Sequence, residues 1–177
     1  MSSLDLPEPT TMTVYATFKN KYNCKISLPV YDGLIPENKN DLQSLINKLP
    51  NHTILSTTPY VSCVKINVVF KHKVKSVRVS HYAAAVSRCK SMNEASQIFN
   101  GLNLDVMTIR EMLVTYKYDL PINVKFIDDD EPYCKLKYNK TTFLINKNRK
   151  VIQTSRNIKE AHEAYQFFKN AINNEIQ

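Results

Sequence analysis

The side chains with the widest range of chemistry in this 177-residue chain are four histidines, four cysteines and one acidic run. His52, His72, His81 and His162 are scattered, and none stands in a His-Glu-x-x-His pattern or beside a nucleophile. Acid–base and nucleophilic catalysis both need such a partner within hydrogen-bond reach. Ser87, Ser91 and the cysteines likewise have no paired base. Cys24, Cys63, Cys89 and Cys134 lie far apart without a Cys-x-x-Cys pair, so neither a zinc site nor a redox motif is written locally. Asp128-Asp129-Asp130-Glu131 offers carboxylates to a divalent cation, but without EF-hand spacing or a turn glycine it reads as an acidic loop. Such a loop suits a basic partner or mimicry of nucleic acid. Gly33 and Gly101 are the only glycines, which excludes a P-loop and a dinucleotide fingerprint. The expectation is a protein that is not an enzyme, with no catalytic residue, metal or cofactor.

The cations carry a different chemistry. The formal charge is +8, and Lys135, Lys137, Lys147, Arg149, Lys150 and Arg156 crowd into 22 positions. Arg88 and Lys90 add a second, smaller group. Cations at this density contact phosphates, release counterions and make binding fall steeply with salt. The competing reading is a solvated edge in a Lys- and Asn-rich proteome. Residues 1–10 carry no signal-peptide pattern and no apolar run is long enough to span a bilayer, so reduced thiols in an intracellular protein and no membrane partner are expected.

The elements that must position these cations follow from periodicity. In residues 133–138, Cys134, Leu136 and Tyr138 alternate against Lys135 and Lys137, which predicts a strand with one set on each face. Residues 141–146 (TTFLIN) and 151–155 predict two more strands, joined by the polar turn 147–150. Asn157 with Glu160 caps a helix whose stripe is Ile158, Ala161, Tyr165, Phe168 and Ile172. Upstream, residues 1–10 read as a frayed lead-in. Strands are predicted at 12–18, 25–30, 60–70, 76–80, 83–88 and 112–118. A helix capped by Asn40 is predicted to run to Leu49, and another follows the capping box Ser91…Glu94. Residues 103–110 read as a link.

The order looks like one pattern used twice: strand, connection, three-strand meander, capped helix. Leu28-Pro29-Val30 is echoed by Leu120-Pro121-Ile122. The predicted organisation is a lead-in at 1–10, a first repeat at 11–104 and a shortened second repeat at 105–177. The fold class is α+β, a curved antiparallel sheet with helices on its convex face.

At this point the sequence resembles the TATA-box-binding protein (TBP) family, whose domain is saddle-shaped. The family's second repeat carries Phe-Pro, a basic strand, Leu-Ile-Phe, a Ser-Gly-Lys turn, a Val-x-Thr-Gly-Ala-Lys strand end and a helix. Here the run is Glu131-Pro132, residues 135–138, Leu144-Ile145-Asn146, Asn148-Arg149-Lys150, residues 151–156 and the Ile158 helix. The first repeat is laid on residues 60–99, with Tyr60 in the Phe slot, Val77-Arg78-Val79 on Leu-Ile-Phe and Arg88-Cys89-Lys90-Ser91 on Gly-Ala-Lys-Ser. In that register Arg78 falls on the helix-covered face.

The resemblance implies a general transcription-initiation factor that binds double-stranded, AT-rich promoter DNA. Its DNA face would comprise Tyr60, Val79, Arg88, Lys90, Lys135, Lys137, Thr142, Leu144, Asn146, Arg149, Lys150, Thr154 and Arg156. It also implies that transcription factors or polymerase subunits dock on the last helix at Lys159, His162, Glu163, Gln166 and Lys169. The location implied is the nucleus, or the site of viral transcription in a large DNA virus. The departures lie at the wedges. The family inserts four phenylalanines between base steps to bend DNA; here the slots hold Tyr60, Val79, Glu131 and Asn146. A carboxylate cannot enter a base stack without losing hydration. The alternative is therefore a TBP-fold interaction module that has lost DNA bending.

Overall fold

The computed structural model describes residues 6–22, 28–120 and 133–176. In chain order the elements are β1 (Thr11–Phe18), α1 (Lys39–Lys48), β2 (Ile54–Pro59), β3 (Val64–Phe70), β4 (Lys73–Val79), β5 (Ala83–Cys89), α2 (Met92–Gly101), β6 (Val106–Asp119), β7 (Tyr133–Tyr138), β8 (Thr141–Asn146), β9 (Lys150–Ser155) and α3 (Ile158–Ile176). They divide into two compact units, residues 13–110 and residues 1–12 with 111–177.

In the first unit the strands are bonded in the order β2-β3-β4-β5-β1-β6. Ile66 stands opposite Val77, Val68 opposite Lys75 and Val77 opposite Val86, all buried on one face. α2 covers that face. It starts where Ser91 Oγ accepts the Glu94 N–H at 3.1 Å, and it buries Ala95, Ile98 and Phe99. A buried ion pair pins it: Lys75 Nζ is 2.7 Å from Glu94 Oε1 and also donates to the Arg88 carbonyl at 2.8 Å. α1 covers only the end of the opposite face. Val69 stands opposite Val74, one position off the α2 face, yet it is fully buried with Ile46 and Leu55. Gln43 Nε2 of α1 donates to the His72 carbonyl at 3.0 Å, fixing the helix at the β3–β4 turn.

His52 sits between α2 and β3, its ring centroid 5.6 Å from that of Phe70. A Cβ on Gly101 would lie 1.9 Å from His52 Nε2. Gly101→Ala is therefore expected to displace the ring and cost about 1–3 kcal/mol. A thermal melt of Gly101→Ala beside Gly101→Ala/His52→Ala checks this. The double variant should regain part of the loss, and an unchanged melting temperature in the single variant would count against the wedge.

In the second unit the order is β6-β9-β8-β7. Phe143, Ile145 and Val151 pack beneath Ala164, Phe168 and Ile172 of α3. Asn157 Oδ1 accepts the Glu160 N–H at 2.8 Å and starts the helix. Gln153 is fully buried and fully used: its Oε1 accepts from Tyr118 Oη at 2.7 Å and its Nε2 donates to the Ala161 carbonyl at 2.8 Å. Burial also drives the Tyr118 phenol far above its ordinary range.

With so few glycines, the turns take left-handed backbone at other residues. Lys71 (φ 48°) and His72 (φ 63°) form the β3–β4 turn, Asn139 (φ 52°) lies between β7 and β8, and Arg149 (φ 66°) closes β8–β9. Asn146 Oδ1 braces that last turn by accepting the N–H groups of Asn148 (3.0 Å) and Lys150 (3.1 Å).

Several element boundaries differ from expectation. β2 was not expected, because a bulge between Ile54 and Ser56 buries both Ile54 and Leu55 and hides the alternation. The strand expected over 60–70 starts at Val64, since Tyr60 N–H closes a turn onto the Cys63 carbonyl at 2.8 Å. The link expected at 103–110 is the start of the long β6. α1 is capped by Asn38 rather than Asn40; its side chain accepts from Asn40 and Asp41 N–H groups at 2.8 and 3.2 Å. Of the strand expected at 25–30, the described part is a single parallel bridge between Val30 and Ile54. Pro121 and Ile122 lie outside the described residues.

Candidate nucleic-acid interface

In the second unit the strand register builds rows across the face turned away from α3. Lys117, Ile152, Leu144 and Lys135 form one row; Thr115, Thr154, Thr142 and Lys137 form the next. The alternate residues Val114, Tyr116, Val151, Gln153, Phe143 and Ile145 are buried. Both rows place short apolar or hydroxyl side chains on β9 and β8 and a lysine on the edge strand β7, while β6 adds Lys117 to the first row and Thr115 to the second. That composition fits a surface that meets base edges in its middle and phosphates at its rim. A third row holds Asp119 opposite Lys150, which form an ion pair with both side chains mostly in solvent.

The sequence-predicted DNA residues thus divide. Lys135, Lys137, Thr142, Leu144 and Thr154 come together on this face. Lys150 joins them but is offset by Asp119. Asn146 and Arg149 belong to the β8–β9 turn, where the Asn146 side chain is committed to backbone. Arg156 lies past the end of β9 and is bonded to Glu160, its Nε 2.9 Å from Oε2. That contact raises the guanidinium pKa, and the same contact lowers that of the Glu160 carboxyl. Arg88 and Lys90 stand at the end of β5, where Lys90 N–H donates to Glu94 Oε2 at 3.1 Å. Sequence reasoning missed Thr115, Lys117 and Ile152, although Thr115 and Lys117 alternate against Val114 and Tyr116.

Val79 requires a correction. It is fully buried on the α2 face, opposite Val64 and Ala84, and cannot meet a ligand on the open face. The first-repeat register was one residue out, and Arg78 is the exposed neighbour. Arg78 stands opposite Lys65, and its guanidinium lies 5.2 Å above the Tyr60 ring. Tyr60 is 48% exposed, and Val61 beside it projects fully from the turn. Glu131 and the acidic run lie outside the described residues.

On α3, Lys159, His162, Glu163 and Gln166 are exposed, while Lys169 leans over the Tyr165 ring at 5.8 Å. Phe167 is 51% exposed and stacks on Tyr138 with centroids 4.1 Å apart. Beside this stack a groove of about 370 Å³ is lined by Tyr138, Lys140, Arg156, Glu160 and Glu163 among others. Among the described residues no three His, Cys, Asp or Glu side chains gather as a metal site. Of the described cysteines, Cys89 is buried, which pushes its thiol up to about 11.

No family model matches this sequence. No curated protein matches it either. Among solved structures the chain is similar to Methanococcus jannaschii TBP, with a TM-score of 0.60 and 13% identity over 94% of this chain and 98% of that one. Likeness at that identity shows the fold: α+β and TBP-like, with an antiparallel sheet and helices.

Proposed function

We propose that this chain is a DNA-binding transcription-initiation factor that meets promoter DNA on the open sheet face and other transcription proteins on α3. The observation that carries the reading is the pair of rows Lys117–Ile152–Leu144–Lys135 and Thr115–Thr154–Thr142–Lys137 on a face that no helix among the described residues of that unit covers. The TBP-like fold supports it. Exposed Lys159, His162, Glu163 and Gln166, next to the half-exposed Phe167, supply a mixed polar and apolar docking surface of the kind interfaces use. Such a factor works where promoters are transcribed: the nucleus, or a viral transcription site.

Electrophoretic shifts on AT-rich and GC-rich duplexes at two salt concentrations test the reading. Replacing Lys135 and Lys137 by Ala should weaken both complexes and reduce the salt slope by about 1 per lysine. Lys150→Ala should do less, because Asp119 already offsets that charge. Unchanged affinity in the double variant would remove these rows from the interface.

A second reading has its own support. Asn146 is committed to its turn, and the residue that β4 presents at the other slot is the charged Arg78, since Val79 is buried. A TBP-fold interaction module without DNA bending fits those facts, and absence of a duplex complex at any salt would favour it.

A further inference from the structure

We propose that the open face of the first unit binds single-stranded nucleic acid, stacking unpaired bases on Tyr15 and Tyr60. This stands apart from the duplex reading, which rests on the other unit's lysine rows.

Three observations carry it. The strands β1 to β5, and β6 as far as Arg110, contain no Asp or Glu at all. Lys65 and Arg78 stand directly opposite each other on the open face. Like charges in that position destabilise a sheet pair, and a polyanion relieves the repulsion. The third observation separates a single strand from a duplex. Each of two tyrosines carries an arginine on one ring face: Arg78 lies 5.2 Å over Tyr60, and Arg110 lies 4.7 Å over Tyr15. Tyr15 is on β1, an inner strand between β5 and β6. Its side alternates with the buried Val14 and Ala16.

A guanidinium held over a tyrosine ring presents a cation and an aromatic group together. Phosphate can be held by a point charge or a guanidinium fork, and neither needs an aromatic ring beneath it. The ring is useful to a ligand that offers a π-face, and in a duplex the base faces are hidden by their neighbours. Unpaired bases expose them and stack on the aromatic side chains of an open sheet. Thr17 and Thr108, hydrogen-bonded to each other one step along the same two strands, leave hydroxyl acceptors beside Tyr15 for sugar or base edges. DNA and RNA share this chemistry, and the assay distinguishes them.

The test is fluorescence anisotropy of the full chain with labelled oligo(dT), oligo(rU) and a blunt duplex of equal length. Tyrosine emission is followed in parallel, since the chain has no tryptophan to mask it. Binding of either single strand with quenching of tyrosine emission is expected. Tyr60→Leu and Tyr15→Leu should each weaken that binding about 5- to 100-fold and leave the duplex complex unchanged; Tyr15→Phe should retain it. Arg78→Lys should also weaken it, although charge is kept. A preference for oligo(rU) or oligo(dT) then names the natural strand. If single strands do not bind, or if the Tyr→Leu variants lose duplex and single strand equally or lose nothing, the assignment falls. Tyr60 lies in an exposed turn, so its variant remains informative should Tyr15→Leu fail to fold. Loss of single-strand binding alone would leave the Lys135/Lys137 duplex result standing.

Discussion

Phe143→Ala is expected to cost about 3–5 kcal/mol, the range for deleting a buried aromatic ring. Phe143 is almost fully buried at the centre of the second unit's core, and its ring stacks on Phe168 of α3 with centroids 4.5 Å apart and planes within 14°. The loss has two parts. Apolar area returns to water in the unfolded comparison, and a cavity opens that α3 fills only by shifting. Gln153 limits that shift, because its two hydrogen bonds tie β6 and α3 to β9 at fixed distance. The expected reading is a urea midpoint far below wild type with an unchanged slope. Phe143→Leu should lose distinctly less. A cost under about 1 kcal/mol for the Ala variant would mean that α3 closes over the gap, and the tight coupling through Gln153 would be refuted.

Lys75→Ala comes next, at about 3–5 kcal/mol, the range for breaking a buried ion pair from one side. The variant leaves Glu94 with little solvent and without its bonded counter-charge, and leaves the Arg88 carbonyl without its donor. Removing both charges with Lys75→Met/Glu94→Leu should recover most of the loss, since each partner's desolvation disappears with it. The pair also sets an acid limb. Burial alone would raise the Glu94 pKa, but the Lys75 hydrogen bond, the Lys90 N–H and the charges of Lys75 and Lys71 outweigh it and hold the carboxyl below its usual value. A depressed folded pKa stabilises fully above the unfolded carboxylate range near pH 4.3 and loses that contribution as pH falls through the folded value. Stability measured from pH 7 to pH 3 should therefore fall less steeply in Glu94→Gln than in wild type. Parallel curves would detach the pair from acid unfolding.

How much of this was legible beforehand differs between the two halves. Residues 133–172 alternate cleanly and then switch to helical spacing, and β7, β8, β9 and α3 follow that pattern to within a residue or two. The Lys135/Lys137 alternation also placed two cations on one face before any register was known. The first unit was harder to read for identifiable reasons. A bulge in β2 puts consecutive apolar residues inside, and a second buried surface under α1 makes Val68, Val69 and Phe70 all apolar in a row. Period-two reasoning assumes one buried face, and the end of β3 has two. Val79 was assigned to the open face and Arg78 to the covered one for another reason: Val77-Arg78-Val79 was laid on the family's Leu-Ile-Phe, whereas β4 itself alternates with Lys75, Val77 and Val79 inside. The turns were opaque as well. Left-handed backbone at Lys71, His72, Asn139 and Arg149 leaves none of the glycine punctuation that marks a hairpin in sequence. The Tyr15–Arg110 pairing joins residues far apart in the chain, and no local pattern announces it.

The placement of α1 has a consequence for anything that travels across the first unit. The helix closes the β3–β4 hairpin end like a buffer at the end of a track, while Lys65 and Arg78 lie toward the opposite end. A strand bound along β3 and β4, as proposed above, would meet the helix at that end, and the protein would then set how many of its units touch these two strands.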